Sequence, residues 1–267
     1  KLRAYPDGKI YTRKWANAFA EMRSDINFRS GNPVEWQPLG PENIGGRTLC
    51  LAFHPDEPNT VFAGSAGGGL WKTTTAGKGV DAWDPVSTGF PVIGVGAIAI
   101  DAQNPDVMYV GTGEVYNYTA ARPGVVNRLT RGIYGIGILK TTDGGASWSL
   151  ALDWSQSELT GVQDLKIDPE NSNHIYAATT EGLLKSEDPG TSWTVIHDEP
   201  MATDVELMPG DSEVIFVAHG GFLSPTAGVY RSENGGASFE LLNNGLPTDY
   251  EGKTRLAMSP DNPQVIY

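Results

Sequence analysis

The sequence predicts an all-β chain of the β-propeller class, with about four blades, part of a fifth and a short N-terminal helix. Two repeated marks carry this. The first is a polar turn closed by an aromatic residue, built from Thr141, Asp143, Gly145 and Trp148, then Ser186, Asp188, Gly190 and Trp193, then Ser232, Asn234, Gly236 and Phe239. Its closing aromatics stand 45 and 46 residues apart. The second mark is a turn rich in Pro, Asn and Asp between two apolar runs, and it begins five times, at His54, Asp101, Asp168, Met208 and Ser259. A period of this size, filled with short strands instead of helices, is that of a propeller blade.

The elements follow in order. Residues 1–35 form an N-terminal extension in which Trp15, Phe19, Met22 and Ile26 recur at helical spacing after Thr12, a candidate N-cap. This amphipathic helix is expected to pack on the outside of the propeller, with partner binding as the other reading. Residues 36–267 form a partial propeller. Its first stretch, 36–46, reads like an outer strand that lacks its own turn signature, and it suits either ring closure by pairing with the last blade or a simple linker.

Five inner strands are expected, at Thr48 to Phe53, Ala97 to Ile100, Val162 to Ile167, Asp204 to Leu207 and Arg255 to Met258, from their continuous or alternating apolar residues. In each polar turn, a hydroxyl and an Asp or Asn side chain fasten loop N–H groups, and Gly accepts a positive φ. The aromatics Trp148, Trp193 and Phe239 plug the seam between blades. A damaged fourth copy runs from Lys72 through Thr73, Thr75 and Gly77 to Trp83, with Thr75 in place of the carboxylate or amide, and its role in the fold is expected to survive. Because a propeller removes its edges by closing, the ring is expected to continue beyond Tyr267 with at least two more blades, or to meet another chain there.

The formal charge of −13 argues against nucleic acid as a partner, since phosphate binding draws on clustered Lys and Arg. No apolar run approaches the roughly 20 residues of a membrane-spanning helix. The single cysteine, Cys50, reads as a small buried hydrophobe, and none of His54, His174, His197 and His219 falls in a motif that would make it a catalytic base. The turn carboxylates are committed to loop N–H groups and no spaced oxygen-ligand loop is present, so neither a metal nor another cofactor is expected.

The polar turns resemble the Asp-box, or bacterial neuraminidase repeat, over residues 36–267. The run Gly40 to Arg47 and the stretch Phe62 to Lys72, with Gly64, Gly67, Gly68 and Gly69, resemble the first blade of secreted bacterial Asp-box propellers termed sortilin-like or glycosyl hydrolase-like. The resemblance implies an extracellular or cell-surface location. In xyloglucanase-type members the loop matching Gly64 to Gly69 carries a catalytic Asp, the base of a two-carboxylate mechanism. Here Ala66 and its neighbours supply no carboxylate, which removes that mechanism instead of weakening it. A sialidase-type reading needs an Arg cluster, and only Arg47 stands near a suitable strand end.

Ligand-binding candidates concentrate in the long insertion of the second blade, Glu114 to Arg131, which holds Glu114, Tyr116, Tyr118, Arg122, Arg128 and Arg131. Extra loops on a rigid scaffold concentrate recognition, and Tyr and Arg are favoured in binding hot spots. The other reading of this loop is a cover for a blade edge. Arg47, Gln163, Asp164, Asp204, Lys253 and Arg255 stand near inner-strand starts and are expected to line a central channel, their charges joined by hydrogen bonds. The functional expectation is a scaffold that binds protein or polysaccharide. The alternative is a glycoside hydrolase in which Glu114 or Asp164 serves and the other catalytic groups lie beyond Tyr267. A third reading makes the helix and an open blade edge contacts for an assembly partner.

Overall fold

The computed structural model describes residues 12–25, 46–91, 94–115, 132–157, 160–220, 227–246, 252–259 and 261–267. Among the described residues a helix, α1 (Thr12–Asp25), precedes eighteen strands. The first sheet comprises β1 (Thr48–Phe53), β2 (Val61–Ser65), β3 (Leu70–Thr73) and β4 (Asp84–Val86). The second comprises β5 (Val95–Ile100), β6 (Met108–Thr112), β7 (Gly137–Thr141) and β8 (Ser149–Asp153). The third comprises β9 (Val162–Ile167), β10 (Ile175–Thr179), β11 (Gly182–Ser186) and β12 (Thr194–His197). The fourth comprises β13 (Ala202–Met208), β14 (Asp211–His219), β15 (Gly228–Ser232) and β16 (Glu240–Leu242). Each sheet is antiparallel with its strands in chain order, and β17 (Met258–Ser259) pairs with β18 (Asn262–Ile266) in a two-stranded fifth.

The innermost strands of successive sheets touch, β1 with β5, β5 with β9 and β9 with β13, so the sheets fan about one axis. Sheets stacked face to face bury both surfaces of their middle strands, which explains why β6 and β10 are buried at every residue and read as unbroken apolar and small side chains. The outer strands are partly exposed, β4 and β16 at two of three residues, β12 at two of four and β8 at its two ends. Three apolar clusters fill the gaps between neighbouring sheets, and each contains one of the expected plugs: Trp148 between the first and second, Trp193 between the second and third, Phe239 between the third and fourth. The Trp193 indole N–H also donates to the Ala151 carbonyl of the preceding sheet at 3.1 Å.

The polar turns close as their residue types require. Thr141 Oγ1 donates to Asp143 Oδ1 at 2.6 Å and accepts from the Gly145 N–H at 3.0 Å, while Asp143 accepts from the Ser147 N–H at 2.8 Å. Ser186, Asp188, Gly190 and Ser192 repeat this set, as do Ser232, Asn234, Gly236 and Ser238. Gly145, Gly190 and Gly236 have φ of 94°, 82° and 94°, where an L side chain is strained. The damaged copy keeps its function: Thr73 Oγ1 accepts from the Gly77 and Thr75 N–H groups at 3.1 and 3.2 Å, and the Thr75 hydroxyl donates to the Lys78 carbonyl.

Each of the four-stranded sheets also carries a cation over an aromatic ring, a pairing with no signal in the sequence pattern. Lys72 lies over Phe62, Lys140 over Tyr109, Lys185 over Tyr176 and Arg231 over Phe216, at 5.3 to 5.9 Å from the ring centre. In all four the pair joins the second strand to the third at directly opposed positions, Phe62 with Lys72, Tyr109 with Lys140, Tyr176 with Lys185 and Phe216 with Arg231.

Two boundaries differ from expectation. The fifth inner strand is Met258–Ser259 instead of Arg255 to Met258; before it, Ala257 exchanges backbone bonds with Tyr267 at 2.9 Å, and the Leu256 N–H donates to Asp204 Oδ2 of the fourth sheet at 2.5 Å. Thr12 lies within α1 instead of flanking it, and Ile26 falls outside the described residues, as do residues 36–45 of the ring-closing strand read at 36–46. The helix meets the sheets through Asn17, whose side-chain oxygen accepts from Gln156 in the connection between β8 and β9 at 3.3 Å.

Candidate functional site

Strands that alternate in direction place all inner-strand starts and all second-strand ends at one end of the ring, and all polar turns at the other. At the first end every complete inner strand carries a bulge. Thr48 and Cys50 pair with Ser65 and Gly64, leaving Leu49 between them, and the same slip leaves Gly96, Gln163 and Thr203 unpaired in β5, β9 and β13. A bulge adds one residue against a straight partner and re-aims its side chain. Leu49, Gly96 and Gln163 accordingly line one cavity of about 240 Å³, with Arg47, Thr48, Gly113, Glu114, Lys253 and Arg255.

Its walls are tied together by charge-assisted bonds. Arg47 holds Glu114 in a two-point contact, Nη2 to Oε2 at 2.8 Å and Nη1 to Oε1. Glu114 is fixed by its backbone, which exchanges N–H to carbonyl bonds with Ile133 at 2.6 and 2.9 Å. Gln163, fully buried, donates from Nε2 to the Val115 carbonyl at 2.9 Å, and its Oε1 accepts from Lys253 Nζ. The Arg255 guanidinium reaches the Gln163 carbonyl at 3.2 Å and Asp204 Oδ1 at 3.0 Å. Burial foremost, reinforced by the nearby Arg255, lowers the Lys253 pKa to about 7, although Glu114 opposes the shift.

Behind the cavity wall, Asp164 and Asp204 occupy equivalent positions on β9 and β13, paired with Ala178 and Ala218. Each binds an N–H of the next inner segment, Asp164 that of Val205 at 3.3 Å and Asp204 that of Leu256. Burial raises the Asp164 pKa well above the carboxylate range, the adjoining Asp204 adds to the rise, and Lys166 and Arg255 oppose it.

Of the sequence candidates, Arg47 and Glu114 meet in the cavity, whereas Tyr116, Tyr118, Arg122, Arg128 and Arg131 lie outside the described residues. The expected channel residues Gln163, Lys253 and Arg255 join them, with Asp164 and Asp204 behind. The loop 64–69 closes on itself: Ser65 Oγ accepts from the Gly68 N–H at 3.0 Å, and the Trp71 indole N–H donates to the Gly68 carbonyl at 2.8 Å. Cys50 packs in the apolar cluster between the first and second sheets, and burial pushes its pKa to about 12, away from the range of a reactive thiolate. Among the described residues no group of three or more His, Cys, Asp or Glu side chains is placed to hold a metal ion.

One feature had no sequence signal. His197 Nδ1 and His219 Nε2 stand 2.9 Å apart between the third and fourth sheets, against Tyr230 and Phe239. Their separation of 22 residues follows no metal or catalytic spacing, and only the stacking of sheets brings them together.

Fold and site together define the class as a β-propeller with a polar axial cavity. No family model matches the chain. The chain is 22% identical over 268 residues to a xyloglucanase from Paenibacillus sp, covering 88% of this chain and 24% of the relative, and 25% identical over 220 residues to a xyloglucanase from Hypocrea jecorina, covering 78% and 24%. It thus spans about a quarter of the length of these relatives. Among solved structures, an ancestral GH74 enzyme superposes with a TM-score of 0.60 at 21% identity over 85% of this chain and 28% of its own. The GH74 xyloglucanase from Xanthomonas campestris gives 0.58 at 18%, over 81% and 33%. A structure of the nidogen/laminin complex gives 0.53 at 10%, over 79% and 68%. These likenesses establish the propeller fold. No described helix is long and apolar enough to cross a membrane.

Proposed function

We propose that the chain is part of a secreted or cell-surface propeller of the Asp-box kind that binds a polysaccharide at the axial cavity. Residues 36–267 supply the ring segment, and residues 1–35 form an extension outside it. The observation that carries this reading is the cavity itself, where bulged strands gather amide, guanidinium and ammonium donors with one carboxylate around a space of about 240 Å³. Such fixed donors and acceptors suit the hydroxyl groups of a sugar, and the named action of the similar proteins on xyloglucan points to a β-glucan backbone. Arg47 contacts the ligand in this reading with Glu114 holding its guanidinium, and Tyr116, Tyr118, Arg122, Arg128 and Arg131 are further ligand-binding candidates from the sequence. Isothermal titration of the chain with xyloglucan oligosaccharides tests it: binding that Gln163→Ala weakens about tenfold supports the reading, and absence of binding refutes it.

A second reading, hydrolysis, is favoured by the similarity to xyloglucanases. In it Glu114 or Asp164 serves as one carboxylate and the remaining groups come from sequence beyond Tyr267. One feature weighs against it: the loop 64–69 holds no carboxylate. Release of reducing ends from xyloglucan, lost on Glu114→Gln or Asp164→Asn, would favour this reading over binding alone.

A further inference from the structure

We infer that Asn244 is a site of spontaneous conversion to aspartate and isoaspartate, while the polar turns shield Asn234 and Asp143 from the same chemistry.

The sequence contains two Asn–Gly steps, Asn234–Gly235 and Asn244–Gly245. In such a step the backbone nitrogen of Gly, unhindered by a Cβ, attacks the carbonyl carbon of the Asn side chain. A new C–N bond closes a succinimide ring, the bond to the side-chain nitrogen breaks, and that nitrogen leaves as ammonia with the proton given up by the Gly N–H. Water, the sole co-reactant, then opens the ring. Opening at the side-chain carbonyl gives aspartate, and opening at the main-chain carbonyl gives isoaspartate, which carries one extra methylene in the backbone.

The two steps sit in different surroundings. Asn234 belongs to the polar turn of the fourth sheet, where its Oδ1 accepts from Ser232 Oγ at 2.9 Å and from the Ser238 N–H at 3.0 Å, and its Nδ2 donates to Ser238 Oγ at 2.9 Å. The Gly235 N–H, the group that would attack, donates to the Glu213 carbonyl at 2.9 Å. Reaction at Asn234 therefore requires the turn to open and give up these bonds. The same lock recurs in the other turns. The Gly144 N–H after Asp143 donates to the Asp106 carbonyl at 3.1 Å, the Ala76 N–H after Thr75 donates to the Asn59 carbonyl at 2.8 Å, and Asp188 is followed by Pro189, which has no N–H to lose. An Asp–Gly step forms the same ring with loss of water, so the lock covers Asp143–Gly144 as well.

Asn244 follows β16, at the end of the ring that holds the axial cavity. Asn244 and Gly245 are both exposed, and among the described residues no hydrogen bond holds the Asn244 side chain or the Gly245 N–H. A Cβ built on Gly245 would meet nothing within 4 Å, so the nitrogen is open to the approach. Conversion adds one negative charge to a chain that carries −13, between β16 and the cavity residues Lys253 and Arg255.

The test incubates the whole 267-residue chain at mildly alkaline pH and follows its peptides by mass, with synthetic standards separating aspartate from isoaspartate. In the folded chain Asn244 should convert at least about tenfold faster than Asn234, because opening the turn costs several hydrogen bonds at once. In urea that unfolds the chain, the two rates should come within about twofold, since Gly follows both. Asn244→Gln should remove the early acidic species seen by ion exchange, and a melting curve verifies that this variant folds. Equal rates in the folded chain, or an acidic species that persists in Asn244→Gln, overturns the inference. A tenfold difference that survives in urea places the selectivity outside the fold and overturns the shielding.

Discussion

At the scale of single residues, buried hydroxyls hold the turns and a buried imidazole sets a limit on acid stability. Thr141 is 2% exposed, and its Oγ1 accepts from two turn N–H groups, so Thr141→Val keeps the shape but leaves those donors without their acceptor. The cost is about 1–3 kcal/mol, visible as a lowered denaturation midpoint with an unchanged slope. Burial, with help from His197, holds the His219 pKa down at about 3. A histidine whose folded pKa lies below its unfolded value of about 6.5 leaves the folded state with fewer bound protons, so stability falls as pH drops from about 6.5 toward 3. Asp198 and Glu199 act on the neighbouring His197 in the opposite sense, and burial outweighs them. Urea melts from pH 7 to pH 4 should show this loss, and His219→Gln should flatten it.

At the scale of elements, the blade was legible because its demands are local. The turn needs a hydroxyl, an Asp or Asn and a Gly at fixed offsets, so Ser186, Asp188 and Gly190 announce themselves whatever surrounds them. The continuous apolar strands follow from burial on both faces, and four of the five inner strands fall where their apolar residues place them. The cavity was legible only as a set of polar residues near strand starts. Its gathering depends on the bulges at Leu49, Gly96, Gln163 and Thr203, which leave no mark in composition or period. The link from Gln163 to Lys253 spans 90 residues, and the His197–His219 contact joins two blades; pairings of that kind arise from stacking alone.

At the scale of the whole molecule, the close approach of inner strands around the axis decides whether the cavity exists. A Cβ placed on Gly96 would lie 2.5 Å from the Val162 carbonyl oxygen and 2.7 Å from that of Gly113, both backbone atoms that cannot turn aside. Gly96→Ala therefore forces the second and third blades apart, at a cost of about 1–3 kcal/mol, and widens the cavity. Its melting temperature should fall by about 2–4 °C per kcal/mol, and ligand affinity should fall with it, whereas Thr141→Val at the opposite end should lower stability and leave affinity unchanged. Exposed apolar side chains of β1 mark the other consequence of blade stacking. Leu51 is 54% exposed and Phe53 69%, while Val205 and Leu207 on the corresponding strand of the fourth sheet are buried against the third.

The claim that a glycan enters at the bulged end of the ring is tested most directly by nuclear magnetic resonance titration of the isotope-labelled chain with xyloglucan oligosaccharide. The account predicts shifts in the Gln163 side-chain amide and in the backbone amides of Thr48 and Glu114, with the turns around Asp143 and Asp188 unmoved. Shifts confined to those turns, or no shift at saturating sugar, would contradict it.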